Sequence, residues 1–209
     1  MPEEKDMTTK EKIIQISIDL FSDKGYRDVS MREIASAVGI KASSLYKHYE
    51  SKEAILQSIF SQFREKIGQT SFPEEQLRQY VATISPEAYL NEAFAQFKSI
   101  MWSPEAIKTA RIITREQQRN QSVREFFMQE LMEKPCRLMQ HVFELMMANG
   151  QIPHMDARVL AEEYSAYIIY LYFEQNFLKE SLSLPEIEDK MKQHNAFYAC
   201  NILSRKEGK

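Results

Sequence analysis

Where glycine and proline fall constrains this fold more than any other feature of the chain. Only 5 glycines and 7 prolines occur among 209 residues. Gly25, Gly39, Gly68 and Gly150 each fall where an apolar stripe of helical spacing ends, the place a C-terminal cap belongs. Pro86 and Pro104 each follow a serine, at the first position of a helix, where a missing N–H costs nothing. Pro185 opens one further helix, and Pro135 sits where it bends or breaks one. Such a chain, rich in Glu, Lys, Gln, Ala, Leu and Met, favours helices over hairpins. No stretch reads as a convincing strand, so the expected class is all-α.

The N-terminal pattern is the most detailed. Thr8 and Glu11 form a capping box, and Ile13, Ile14, Ser17, Leu20 and Phe21 then share one face of a helix over 9–24. Ser30-Met31-Arg32-Glu33 has the same box spacing. It opens a helix over 31–38 that sets Ile34, Ala35 and Val38 on one side and ends at Gly39. After Gly39-Ile40-Lys41 a third helix covers 42–48. A short helix, a glycine-containing turn and another short helix give the helix-turn-helix pattern. Ser51 caps a fourth helix over 52–67, striped by Ile55, Leu56, Ile59, Phe63 and Ile67. The stretch "KIGQTSFPEE", 66–75, is the expected boundary between a domain at 1–68 and a second at 69–209.

Charge is distributed unevenly. The formal net charge is −3, which argues against a nonspecific nucleic-acid coat. Yet Lys24, Arg27, Arg32, Lys41, Lys47 and Lys52 face only Asp28, Glu33 and Glu50 between 24 and 52. A local basic face on an acidic body follows. In the third helix, Ala42, Leu45 and Tyr49 share a face and point inward. Ser43, Ser44, Lys47 and His48 are left outward, with Tyr46 at the edge. Small residues at the front allow close approach, and the helix N-terminus attracts phosphate. Lys47, His48 and the Tyr46 hydroxyl can donate to phosphate oxygens. Lys52 adds positive charge beside the next helix's N-terminal amides. The grouping suits a helix laid in a DNA major groove and clamped on the flanking backbone.

The segment "IIQISIDLFSDKGYRDVSMREIASAVGIKASSLYKHYESKEAIL" resembles the DNA-binding region of the TetR family of bacterial transcription regulators. Leu20-Phe21, Gly25-Tyr26, Ser30 to Ala35, Gly39-Ile40, Leu45 to Tyr49 and Ser51-Lys52-Glu53 carry the resemblance. It covers about residues 9–60. It implies that Tyr46, His48 and Lys52 contact phosphates, that Ser43, Ser44 and Lys47 lie nearest the base edges, and that Ser30 adds a phosphate contact. Lys41 departs from the small capping serine common in the family, which leaves the recognition helix less well capped and more basic. Glu3, Glu4 and Asp6 replace the basic arm of some members, so no minor-groove contact is expected there.

Beyond residue 70 the chain reads as further helices. Ser85 and Ser103 each cap one, 120–148 forms a long helical region ending at Asn149-Gly150, and Asp156 caps a helix to about Lys179. The last runs to about Leu203. The segment 157–180 is apolar on two sides, with Leu160, Tyr164, Tyr167 and Leu171 on one stripe and Tyr170, Phe173 and Phe177 on another. The final helix repeats this, with Ile187, Met191, Tyr198 and Ile202 opposite Ala196, Phe197, Cys200 and Leu203. A soluble helix apolar on two sides is buried on two sides. One face meets its own core, and the other meets a second subunit in a twofold four-helix interface. Phe173, Phe177, Phe197, Cys200 and Leu203 are the expected contacts of this homodimer. TetR-like proteins pair through their last two long helices, in agreement. The resemblance also implies an effector pocket, with Phe97, Met101, Trp102, Phe143, Tyr167 and Tyr170 as candidate lining. Arg111, Arg115 and Glu116 read as a solvated helix face or, alternatively, as polar anchors.

The expected function is therefore a ligand-responsive DNA-binding regulator, a repressor released from a pseudo-palindromic operator by a small apolar or amphipathic effector. Activation, or action of the same fold through a protein partner, fits the same residues. No catalytic constellation, phosphate-binding glycine loop or metal spacing is present, so neither enzyme activity nor a metal or cofactor is expected. The opening "MPEEKDMTTKEK" lacks the apolar run of a leader. The longest unbroken apolar stretch, 166–173, is too short for a bilayer. With Cys136 and Cys200 read as reduced thiols, a cytoplasmic protein without membrane contact is expected.

Overall fold

The computed structural model describes residues 7–68, 72–175 and 183–204. Among these every regular element is helical. α1 (Thr9–Lys24) opens with the complete box, in which Thr8 Oγ1 accepts from the Glu11 N–H and the Glu11 carboxylate accepts from the Thr8 N–H. α2 (Met31–Val38) has half of one. Ser30 Oγ accepts from the Glu33 N–H at 3.2 Å, but the Glu33 carboxylate is taken by Lys24. That pairing holds the Glu33 carboxyl below the usual carboxylate range. Gly39 ends α2 at φ 80, a left-handed conformation that a side chain strains. α3 (Ala42–His48) begins at Lys41 with no side-chain cap. α4 (Lys52–Gly68) begins after Ser51, whose Oγ accepts from the Ala54 N–H.

α5 (Glu74–Thr83) follows Pro73 and was not anticipated as a helix; its core face is only Leu77 and Val81. α6 (Pro86–Met101) and α7 (Pro104–Glu116) carry the expected Ser-Pro starts. α8 (Gln121–Phe126) runs through a π-helical stretch, Phe127–Glu133, into α9 (Lys134–Ala148). The irregularity thus lies just before Pro135, whose missing N–H leaves the carbonyl four residues earlier without its helical donor. α10 (Ala157–Phe173) is capped by Asp156, which accepts from the Arg158 and Val159 N–H groups. α11 (Leu184–Phe197) passes into a second π-helical stretch, Tyr198–Leu203.

By contact the chain divides into two compact units. The first gathers α1 to α4 together with Ser103–Phe127, and the second holds the remaining described residues. The sequence assigned 103–127 to the larger region, however, and α7 instead packs on α1. Ile112 and Ile113 are buried, the Lys108 ammonium donates to Asp19 at 2.6 Å, and Arg115 donates to the Ser22 carbonyl at 2.6 Å. Phe126 of α8 stacks on Phe60 of α4 at 4.2 Å. Arg115, although exposed, is therefore also a tie to the end of α1. Glu116, 7% exposed, is buried, 3.8 Å from Arg27.

In the second unit, α9 packs on α5 and α10, and α11 packs on α6. Phe143, Tyr164 and Tyr198 meet edge-on or tilted at its centre. Buried Asn195 accepts from the Tyr164 hydroxyl and donates to Asn91.

Candidate nucleic-acid interface

α3 is a seven-residue helix held on one side by Leu45, fully buried, with Tyr49 buried just past its end. The helical period then fixes the other side. Lys41, Ser43, Tyr46, Lys47 and His48 are exposed and Ser44 is half-buried. Tyr46 is 53% exposed, a large area for an aromatic side chain with no structural reason to face water. Ser30, at the N-terminus of α2, is exposed as well. Its Oγ is already an acceptor for the Glu33 N–H, while its hydroxyl proton is available to an anion. Arg32, exposed on α2, adds positive charge that sequence reading counted but did not assign. The outward set combines hydroxyls, two lysines, an imidazole and a phenol, all able to donate and none acidic. Such a surface suits phosphate oxygens and the acceptor-rich edges of guanine.

Lys52 differs from expectation. Its ammonium does not face outward with the others but donates to the carbonyls of Tyr26, Arg27 and Val29. It also lies 4.4 Å from the centre of the Tyr26 ring. The neighbouring Glu53 accepts from the Tyr26 hydroxyl at 2.8 Å and from the Ser122 hydroxyl at 2.9 Å. Burial, and then Glu53, push the Tyr26 phenol well above its ordinary pKa. The sequence held no local signal for this network, because its members are separated by 27 and 69 positions.

The expected effector-pocket residues differ in their surroundings. Phe143 is fully buried against Tyr164 and Tyr198 and is core. Met101 and Trp102 are buried, with Phe97 edge-on to Trp102 at 5.7 Å. Trp102 Nε1 is buried with no acceptor among the described residues. Tyr167 stacks on His194 at 4.1 Å, whereas Tyr170 is 51% exposed and donates to Glu174. An open cleft of about 340 Å³ in the second unit is lined by Asn91, Phe94, Ala95, Lys98, Glu188 and Lys192, none of them in the expected set.

Of the expected dimer contacts, Phe173, Phe197 and Cys200 are exposed. Phe177 lies outside the described residues. Leu203 is 1% exposed and belongs to the unit's own core. The π-helical stretch accounts for this: its hydrogen bonds link residues five apart, which brings Leu203 onto the buried side of Tyr198.

Residues 13–59 match the family model for bacterial regulatory proteins of the tetR family. The uncharacterized HTH-type transcriptional regulator YerO of Bacillus subtilis (strain 168) is 32% identical over 128 residues, 59% of this chain and 42% of that protein. The biofilm operon icaADBC HTH-type negative transcriptional regulator IcaR of Staphylococcus aureus (strain Newman) is 48% identical over 48 residues, 23% of this chain and 26% of that protein. The chain thus spans less than half the length of these curated relatives. Among solved structures, a transcriptional regulator (TerR/AcrR family) from Aquifex aeolicus VF5 superposes with a TM-score of 0.69 at 21% identity, over 91% of this chain and 99% of that one. A TetR family transcriptional regulator from Pseudomonas syringae pv. tomato str. DC3000 gives 0.70 at 14% identity, over 97% and 98%. At these identities the structures speak to the fold, an N-terminal helix-turn-helix domain followed by a helical domain.

Proposed function

The chain belongs to the TetR family of bacterial regulatory proteins, and from that premise we propose that it is a homodimeric transcriptional regulator that binds a pseudo-palindromic operator and is released from it by a small apolar or amphipathic effector. The observation that carries the DNA reading is the outward face of α3, where Lys41, Ser43, Tyr46, Lys47 and His48 are exposed around a buried Leu45. Ser43, Ser44 and Lys47 are proposed to approach base edges. Lys41, Tyr46, His48 and Ser30 are proposed to hold the backbone on either side. One seven-residue helix makes too few contacts for useful specificity, and two in a dimer read two half-sites.

For the effector, Trp102 supports a site near Phe97 and Met101. A buried indole N–H without an acceptor costs free energy that an acceptor on a ligand recovers. Repression relieved by ligand follows if the effector favours a dimer conformation that binds DNA less well.

The test is a salt series on the duplex that the purified protein selects from a randomised library. The logarithm of the binding constant should fall linearly with the logarithm of salt, with a slope of about −0.9 per phosphate neutralised. A flat plot would remove the DNA reading. The single tryptophan of the chain reports on the effector: a ligand that releases the duplex should also change Trp102 fluorescence.

A further inference from the structure

The first residue of α4 carries a cation that sequence reading assigned to DNA, and the structure gives it different work. An ammonium has three N–H donors. Lys52 directs them at three carbonyls of one turn: Val29 at 2.7 Å, Arg27 at 3.2 Å, and Tyr26. The donor count is therefore filled before any phosphate arrives. The charge also rests on the Tyr26 ring, and the Tyr26 hydroxyl is in turn tied to Glu53, the next residue of α4. The carbonyls belong to the segment between Gly25, at φ 96, and Ser30, the cap of α2. α2 packs on α3. A side chain that fixes the 26–29 turn thus fixes where α2 begins and, through α2, where α3 lies.

We propose that Lys52 is a positioning residue for DNA binding, an internal clamp on the α1–α2 turn that makes no phosphate contact itself. The lysine that meets the backbone is then Lys41, which is exposed, while Lys47, also exposed, approaches the base edges. Partial burial draws the Lys52 pKa below the ordinary lysine value, with Glu116 and Asp28 acting in the opposite direction. This inference rests on the DNA-binding reading above.

Two measurements on the full chain test it. In the first, Lys52→Met and Lys41→Ala are compared with the unaltered protein in the salt series, well below their melting temperatures. Loss of a phosphate contact in each subunit of a dimer should make the slope shallower by about 1.8, and Lys41→Ala is expected to do so. Lys52→Met is expected to bind about tenfold more weakly or worse, the scale of one charge-assisted hydrogen bond, with the slope unchanged. A shallower slope for Lys52→Met overturns the proposal. So does full affinity with only a lowered melting temperature, which would make Lys52 a stabilising residue and no more.

In the second measurement, the unaltered protein is treated with an amine-acetylating reagent, and each lysine is followed by mass spectrometry with and without the selected duplex. Lys52 is expected to react slowly in the free protein and no more slowly on DNA, while Lys41 and Lys47 react quickly and become protected. Lys52 reacting as fast as Lys47 when free, or gaining equal protection on DNA, overturns the clamp. This arm decides the question even where Lys52→Met fails to fold. If the protein selects no duplex at all, the regulatory reading falls, and the free-protein rates still decide whether Lys52 is held inside.

Discussion

Leu45 and Tyr46 are neighbours in sequence and opposites in burial, 0% and 53% exposed. The helical period alone dictates that difference, which is why the outward face of α3 was legible before any coordinates. Replacing Tyr46 by Phe and Lys47 by Ala together should weaken operator binding by about 1–3 kcal/mol. The thermal midpoint should stay nearly unchanged, because neither side chain is in the core; calorimetry beside fluorescence anisotropy checks both halves. Lys52 was illegible for the complementary reason. Its partners are backbone carbonyls gathered by a turn, and no residue type encodes a carbonyl. His194 is a third residue whose surroundings only the fold reveals. Its ring stacks on Tyr167 and lies 5.5 Å and 5.6 Å from the rings of Tyr164 and Tyr198, with Nε2 buried and unpartnered. Burial lowers its pKa from 6.5. The unfolded chain therefore takes up a proton at His194 at a pH where the folded chain does not. Stability should fall as pH drops below about 6.5 and level off beneath the depressed folded value. Glu33 and Glu174, held low by Lys24 and Lys190, begin to lose their contribution only as pH falls into the ordinary carboxylate range, below the window of this test, and lose the rest beneath their depressed folded values. Urea midpoints between about pH 7.5 and 5.5 should slope for the unaltered protein and flatten for His194→Phe; an equal slope in both would assign the effect elsewhere.

Six of the helices legible in the sequence carry a side-chain cap at their start, while α3 and α11 were legible without one. Thr8, Ser30, Ser51, Ser85, Ser103 and Asp156 all accept backbone N–H bonds at helix starts. α5 escaped because it starts after Pro73 with no side-chain cap and buries only two apolar residues. The second capping box stayed half-made because Lys24, nine positions away, competes for the Glu33 carboxylate. Which helix α7 would choose as its neighbour was equally hidden, since an amphipathic stripe specifies a buried face and not what covers it. α3 offers an element-scale test. Lys41 occupies its N-cap position at φ −69 and ψ 146, a conformation suited to serine, yet supplies no acceptor. Lys41→Ser should raise stability by about 1 kcal/mol, the usual worth of an N-cap. The same change should weaken operator binding and make its salt slope shallower, because it removes a proposed backbone contact. Stability and affinity moving in opposite directions, by chemical denaturation and anisotropy on one protein sample, is the expected signature.

At the scale of the whole molecule the question is what covers the outer faces of α10 and α11. Val159, Tyr170 and Phe173 of α10, which share one face of that helix, are 42%, 51% and 38% exposed and Phe197 of α11 is 58% exposed, large apolar side chains of the kind that mark interaction surfaces when they lie together. The apolar two-sidedness of these helices was legible in the sequence. The π-helical stretch that turns Leu203 inward was not, since its periodicity departs from the one used to read the face. In a twofold interface each residue occurs on both sides, so every substitution acts twice. Burying a phenylalanine side chain contributes about 1.5–3 kcal/mol, and Phe197→Ser should therefore weaken pairing by about 3–6 kcal/mol, roughly 10²- to 10⁴-fold. Sedimentation velocity at micromolar concentration should show the variant shifted toward single subunits. Its affinity for an isolated half-site should be unchanged, because α3 is untouched, while its affinity for the full operator should collapse toward the half-site value. A variant that still sediments as a dimer would place the interface on a different face. One that is monomeric yet binds the full operator normally would separate pairing from DNA recognition, and the case for two recognition helices acting together would be lost.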